Sequence, residues 1–149
     1  MYILLKGTLE NFTVSLKDYI ETKSDLIKKY PKGSFIWGIR VPNNLLSKGT
    51  KAFLYVNKTE SFPGGIVLEG EVLDVAELKE KYWPEGEWNY YVVLKVLKIP
   101  DSVVKEKDAK KWKIVDRNQL KELGVKVLPG IQKIDDKIGA KIEELLNEI

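Results

Sequence analysis

The apolar positions of this chain gather in short runs, not long stripes. Met1–Lys6, Phe35–Arg40, Lys51–Val56, Ile66–Val75 and Tyr90–Ile99 are rich in aliphatic, β-branched and aromatic residues, and glycine, proline or asparagine punctuates them, which predicts strands. Alternation along Ile66–Val75 places Val67, Glu69 and Glu71 on one face and Ile66, Leu68, Gly70, Val72 and Asp74 on the other. Asn11–Lys17 reads either as a turn or as a first helical turn. Ser24 is placed to cap a short helix, Asp25–Tyr30, that Pro31 and Gly33 end. Ala76–Tyr82 predicts a helical turn, and Trp83–Asn89 a loop with two tryptophans.

After Pro100 the pattern changes. Asp116 caps a helix running to Leu123 that Gly124 stops, and Val125–Leu128 is a short strand or a turn. The last helix starts at Asp135 or Asp136. Ile134, Ile138, Ile142, Leu145 and Ile149 recur at spacings of three and four, giving it one apolar stripe. The expected architecture is α+β. A mixed or antiparallel β-barrel of five to six strands fills roughly residues 1–100, and peripheral helices fill roughly 101–149, in one domain spanning 1–149.

Composition narrows the chemistry. The 149 residues include no Cys and no His, which removes thiolate nucleophiles, disulfides, Cys/His zinc sites and the usual neutral-pH general base. No metal or cofactor is expected. There is no long apolar run and no secretory segment, so the expectation is a cytoplasmic protein with no membrane partner, beginning at its native Met1. The abundance of Lys and Glu leans toward a thermophilic source. Net charge is only +3, but residues 1–60 carry ten Lys/Arg against five Asp/Glu. That basic portion is compatible with phosphate contacts through Lys28, Lys29, Lys32, Arg40, Lys48, Lys51 and Lys58. A solvated lysine-rich surface would look the same.

The aromatic residues stand at strand ends and loop tips, where burial alone does not demand them. Trp37, Tyr55, Phe62 and Trp83 are candidate walls of a pocket for a flat ligand, a nucleobase above all, because stacking on aromatic faces holds an unstacked base. Gly38 beside Trp37 permits close approach of a ligand or a strand. Ser34, Asn43, Asn57 and Ser61 are candidates for the base edge, with Asn57 the best placed. Each has a plainer reading: Trp37 as core, Trp83-Pro84 as a packing plug, Asn57 as a turn former. Glu69 and Glu71 share a face, but solvent-facing acidic residues on a strand are commoner than a catalytic pair. No phosphate-binding glycine loop, nucleophile elbow or metal-ligand run is present.

Several short motifs occur in a particular order: Asn11-Phe12-Thr13-Val14, Trp37-Gly38-Ile39, Lys48-Gly49-Thr50 before a strand ending Tyr55-Val56, Gly65-Ile66, Gly70-Glu71-Val72, Trp83-Pro84, and Gly130-Ile131 with Ile134 before the last helix. This order resembles the EVE domain and, more widely, the PUA-like superfamily with its YTH and ASCH relatives. The resemblance implies a barrel whose side pocket holds a modified base flipped out of DNA or RNA. Trp37 would be the first ring of the cage, and Phe62 or Trp83 the second. It also implies the DNA-recognition part of an McrB-type restriction protein, with a C-terminal GTPase/AAA+ domain in a longer parent chain. The tip Phe62-Pro63-Gly64-Gly65 has no Trp where a full YTH cage has one, so the choice among N6-methyladenine, a modified cytosine and an unmodified RNA loop stays open.

The expected function is thus a non-enzymatic nucleic-acid-binding module. The alternatives are an RNA-binding PUA-like domain, a small ASCH-like hydrolase, and a protein-interaction module docking through the final helix.

Overall fold

The computed structural model describes residues 1–149. Strand β1 (Tyr2–Gly7) leads into helix α1 (Leu9–Glu21). A 3-10 turn at Ile27–Lys29 precedes β2 (Ser34–Ile39), β3 (Lys51–Val56), the long β4 (Gly65–Glu77) and β5 (Tyr90–Lys98). Then come α2 (Asp101–Lys105), a 3-10 turn at Ala109–Lys111, β6 (Val115–Asp116), α3 (Arg117–Glu122), β7 (Gln132–Ile134) and α4 (Asp136–Asn147). No helix is long and apolar enough to cross a membrane.

The fold is α+β. One mixed sheet of seven strands runs β2-β5-β4-β3-β1-β7, and β6 pairs with β4 off this path. The β1–β3 pair is parallel and the others are antiparallel. Register shifts interrupt the pairing of β4 with β3 at Leu54/Tyr55 and with β5 at Glu69/Gly70 and Val72/Asp74. Such irregularities bend a strand and increase its twist, so the sheet curls on itself. It does not close by a ladder. Instead the Trp37 indole N–H of β2 donates to the Lys6 carbonyl of β1, 3.2 Å away. Gly7 is required there, because a β-carbon on it would stand 2.1 Å from the Trp37 ring.

Alternation along each strand sorts the core. Ile3, Leu5, Phe35, Trp37, Ile39, Ala52, Leu54 and Val56 face the inside of the curl, with Phe12 and Leu16 of α1 against them. Leu4, Phe53, Tyr55 and Ile66 face outward under α3 and α4, whose Leu120, Ile142 and Leu146 cover them. A third cluster on the back of β2 and β5 joins Ile36, Tyr91 and Val93 to Trp83.

The structure departs from the sequence pattern in five places. Asn11–Lys17 is neither a turn nor one helical turn but the middle of α1, capped by Thr8, whose hydroxyl accepts from the Asn11 N–H. Its buried face mixes Phe12 and Leu16 with Asn11, Ser15 and Asp18, which dilutes the apolar periodicity. The Ser24 hydroxyl does accept from Ile27 N–H, but only a 3-10 turn follows. Ala76–Tyr82 is no helix, since β4 continues to Glu77. Val125–Leu128 is not a strand. The short strand is Gln132–Ile134, and the Gln132 amide ties back to Leu128 N–H and the Lys126 carbonyl. Seven strands appear rather than five to six, because β6 and β7 are too short to carry a pattern.

Glu69 is also differently placed. It does not face solvent beside Glu71 but is only 5 % exposed, with one carboxyl oxygen, Oε2, unpartnered. Its carboxyl bonds to that of Glu143 on α4. Glu143 in turn accepts from the Tyr2 hydroxyl (2.6 Å) and the Lys51 ammonium (3.1 Å). Burial, then the bond to Glu143, pushes the Glu69 carboxyl well up, while the bond from Glu69, outweighing burial, holds Glu143 down. One proton is shared between two carboxyls. Over the window in which folded Glu69 keeps a proton that the unfolded chain has released, stability falls as pH rises. Glu143 acts oppositely, losing its contribution only as pH falls below the ordinary carboxyl range. Glu69→Gln keeps the donor and removes the ionisation. Thermal melts should show variant and wild type converging near pH 4.5, with the variant increasingly the more stable toward neutral and alkaline pH. Parallel curves would contradict the shared proton.

Candidate functional site

The inward polar stripe of α1 does specific work. Asn11 clamps Glu85 twice, its amide donating to the Glu85 carbonyl (2.9 Å) and its oxygen accepting from the Glu85 N–H (3.0 Å). Ser15 accepts from the Trp83 indole at 2.7 Å. Asp18 accepts from the Tyr82 and Ser24 hydroxyls and from two backbone N–H groups. Burial alone would raise the Asp18 carboxyl, but these bonds outweigh it and hold the group below the usual range. Three residues at helical spacing therefore pin the segment Tyr82–Trp88 onto the barrel.

That segment carries Trp88 to the end of β2. The Trp88 indole donates to the Glu85 carbonyl at 2.8 Å and lies over Gly38, where a β-carbon would meet Trp88 at 2.9 Å and Trp83 at 3.0 Å. Gly38 thus allows a close approach, as expected, but of two tryptophans. Trp83 stands edge-on between Trp37 (6.3 Å) and Trp88 (6.4 Å).

Beside this aromatic group, at the seam where β2 meets β1, lies a cavity of about 320 Å³. Trp37 and Trp88 form walls, Lys6, Arg40 and Asn43 supply polar groups, and Ile131 adds an apolar patch. The Arg40 guanidinium sits 5.5 Å from the centre of the Trp88 ring, within cation–π range. The Lys6 ammonium donates to the Gly130 carbonyl at 2.7 Å and forms no ion pair. Burial pushes it down to about 8. Lys6 and Arg40 are the charged residues of the lining, and no carboxylate is among them. A second recess, about 440 Å³, lies between the first 3-10 turn and Glu77–Tyr82. Its Lys29, Lys79 and Lys81 are matched by Asp25, Glu77 and Glu80, so it has no bias in charge.

The other residues singled out from the sequence scatter. Trp37 lines the cavity, though it is only 3 % exposed. Trp83 lies behind it, buried. Phe62 is buried inside the curl, edge-on to Trp112 at 5.8 Å. Tyr55 points to the outer core beneath α3 and α4. Neither forms part of the cavity. Ser34 is at the opposite end of β2, its hydroxyl donating to the Pro31 carbonyl. Asn57 is exposed, and its backbone N–H donates to Gly7. Among the cations Arg40 rims the cavity. Lys51 pairs with Glu143 and lies over Tyr2. Lys28, Lys29, Lys32, Lys48 and Lys58 are exposed elsewhere. Sequence reasoning missed Lys6 altogether, and of the two loop tryptophans it favoured Trp83 over Trp88. It also missed the clamp of Asn11, Ser15 and Asp18, whose spacing of four and three was a visible signal.

No family model matches the sequence, and no match is found among curated proteins. Solved structures do match over nearly the whole chain. A hypothetical protein from Leishmania major aligns with 99% of this chain and 94% of its own, with TM-score 0.58 and 17% identity. The N-terminal domain of Thermococcus gammatolerans McrB, solved bound to m5C DNA, aligns over 99% and 97%, with TM-score 0.56 and 14% identity. Human THYN1, solved in complex with 5-methylcytosine-containing DNA, aligns over 97% and 96%, with TM-score 0.56 and 16% identity. The chain has the fold of these proteins, the EVE-like form of the PUA-like fold.

Asn11→Ala removes both bonds to Glu85. The Glu85 N–H loses its partner while the carbonyl keeps the Trp88 indole, so the expected loss is about 1 kcal/mol. Amide exchange at Glu85 and Trp88 should accelerate more than in the β-sheet. Unchanged exchange there would show that Trp88 is held by other means.

Proposed function

We propose that this chain is a DNA-binding module that takes one extruded base, methylated cytosine foremost, into the cavity between Trp37 and Trp88. The observation that carries this reading is the cavity itself: two indoles, two cations and no carboxylate at the seam of the sheet. Its volume falls within the range of small-ligand sites. Two proteins of the same fold were solved with methylcytosine DNA, which supports DNA as the partner. Trp88, half-buried and lining the cavity, would supply the stacking surface. Trp37 closes the pocket behind, and Trp83 backs both.

Arg40 at the rim, with Lys48 and Lys58 exposed elsewhere on the surface, would hold phosphates. Asn43, whose side-chain oxygen already accepts from Leu45 N–H, would turn its amide toward the base. Phosphate contacts would supply affinity and salt dependence, and the pocket selectivity. The role is recognition without catalysis, by residues 1–149 acting as one module. The Thermococcus neighbour is an N-terminal domain, which supports a place for such a module in a modification-dependent restriction system beside a motor domain.

Trp37→Ala is a poor probe, because removing a fully packed indole costs about 3–5 kcal/mol and opens the seam. Trp88→Ala is the better one. Fluorescence anisotropy should be measured on short duplexes with and without 5-methylcytosine or N6-methyladenine, and on matched single-stranded DNA and RNA, at two salt concentrations. The wild type should prefer a modified duplex at both salts. Trp88→Ala should lose about 1–3 kcal/mol of that preference while keeping weak, salt-sensitive binding. Equal, salt-sensitive binding of all probes by the wild type would refute the reading.

A further inference from the structure

We propose that Lys6 reads the edge of the inserted base, its ammonium donating to adjacent acceptors so that the cavity selects a base presenting two acceptors side by side. This rests on the reading of the cavity as a base pocket and names the chemistry of its floor. Lys6 is the next-to-last residue of β1, on the strand that Trp37 meets across the seam. Lys6 lines the cavity together with Gly130, whose carbonyl accepts from the Lys6 Nζ at 2.7 Å and so takes one of its three donors. The remaining donors have no protein partner and no ion pair. The residues that line the cavity with it include Trp37, Trp88, Asn43 and the second cation Arg40, and its register partner on β3 is Tyr55.

An ammonium so placed is a point charge with unused donors in a partly dry site, where a charged hydrogen bond counts for more than it does in water. It attracts an edge such as N3 and O2 of cytosine. An edge on which an amino donor flanks a single acceptor, as at N6 and N1 of adenine, places a donor against the cation. Lys6 therefore favours cytosine over adenine irrespective of the methyl group, which the indoles would sense. Burial without a carboxylate lowers this amine to about 8, so the charge is present at neutral pH and is lost within an accessible range. Selection should weaken as pH rises past that value. Cytosine itself does not titrate there.

The test is anisotropy on duplexes with a central 5-methylcytosine or N6-methyladenine, from pH 6.5 to 9.5, for wild type, Lys6→Met and Lys6→Arg. The cost of extruding each base belongs to the DNA and cancels in the ratio of variant to wild type. At neutral pH, Lys6→Met should lose about ten- to a hundredfold of the preference for the methylcytosine duplex, the range for a charged hydrogen bond. Lys6→Arg should retain most of it and stay flat with pH, whereas the wild type declines toward the Lys6→Met level. Thermal melts of Lys6→Met confirm that the fold persists. A wild-type preference that is independent of pH and survives in Lys6→Met overturns the role of Lys6 and leaves the base pocket standing. Absence of any preference in the wild type at every pH overturns the pocket and this inference with it.

Discussion

The indole of Trp37 lies against Gly7 and donates its N–H to the Lys6 carbonyl, and through this contact β2 reaches β1 without a ladder. Six strands in sequence of pairing would otherwise leave two free edges. The bulges of β4 bend the sheet far enough for its ends to approach, and the Trp37 side chain then stands where backbone pairing would have been. A seam closed by a side chain is narrower than an open sheet and looser than a barrel. The cavity lies in that seam, so the residue that completes the architecture is also the wall of the site.

A second constraint is the polar face of α1. A helix packed on a sheet normally presents aliphatic residues, and burying Asn11, Ser15 and Asp18 would be costly if they were unpaired. Each bonds to the segment Tyr82–Trp88, which has no regular structure of its own, and Asp18 is further satisfied by Lys23 and Ser24. The helix thus supplies the hydrogen bonds that this loop cannot make internally, and fixes three aromatic rings in one orientation. Rigidity of a binding wall is a prerequisite for selectivity, because a ring that must be ordered on binding lowers affinity. The carboxyl pair of buried Glu69 and half-buried Glu143 joins β4 to α4 and takes no part in the cavity.

Likeness to EVE-like structures at 14–17% identity, with alignments covering at least 97% of this chain, shows that the fold tolerates almost complete replacement of its sequence. At the seam of this chain Lys6 bonds to Gly130 and Arg40 lies against Trp88.

The chain's order of apolar runs and breakers was enough to specify the α+β class, the five long strands, the last two helices and the importance of Trp37. These are local properties: alternation, capping by Asp116 and Asp135, and stops at Gly124 and Pro100 act within a few residues. Candidates drawn from residue type alone fared unevenly. Trp37 and Arg40 reached the cavity, but Phe62 and Tyr55 did not, because side-chain direction on a bulged strand or a folded-back loop depends on register and not on composition. Lys6 looked like the ordinary end of an apolar strand. Its role depends on Gly130, more than a hundred residues away, coming to lie beside it. Trp88 likewise became a wall only when α1 pinned its loop. Sequence determined the five long strands and the last two helices, since those patterns are settled between near neighbours. Tertiary structure alone decided which side chains share a cavity, since that depends on how a curled sheet brings its distant ends together.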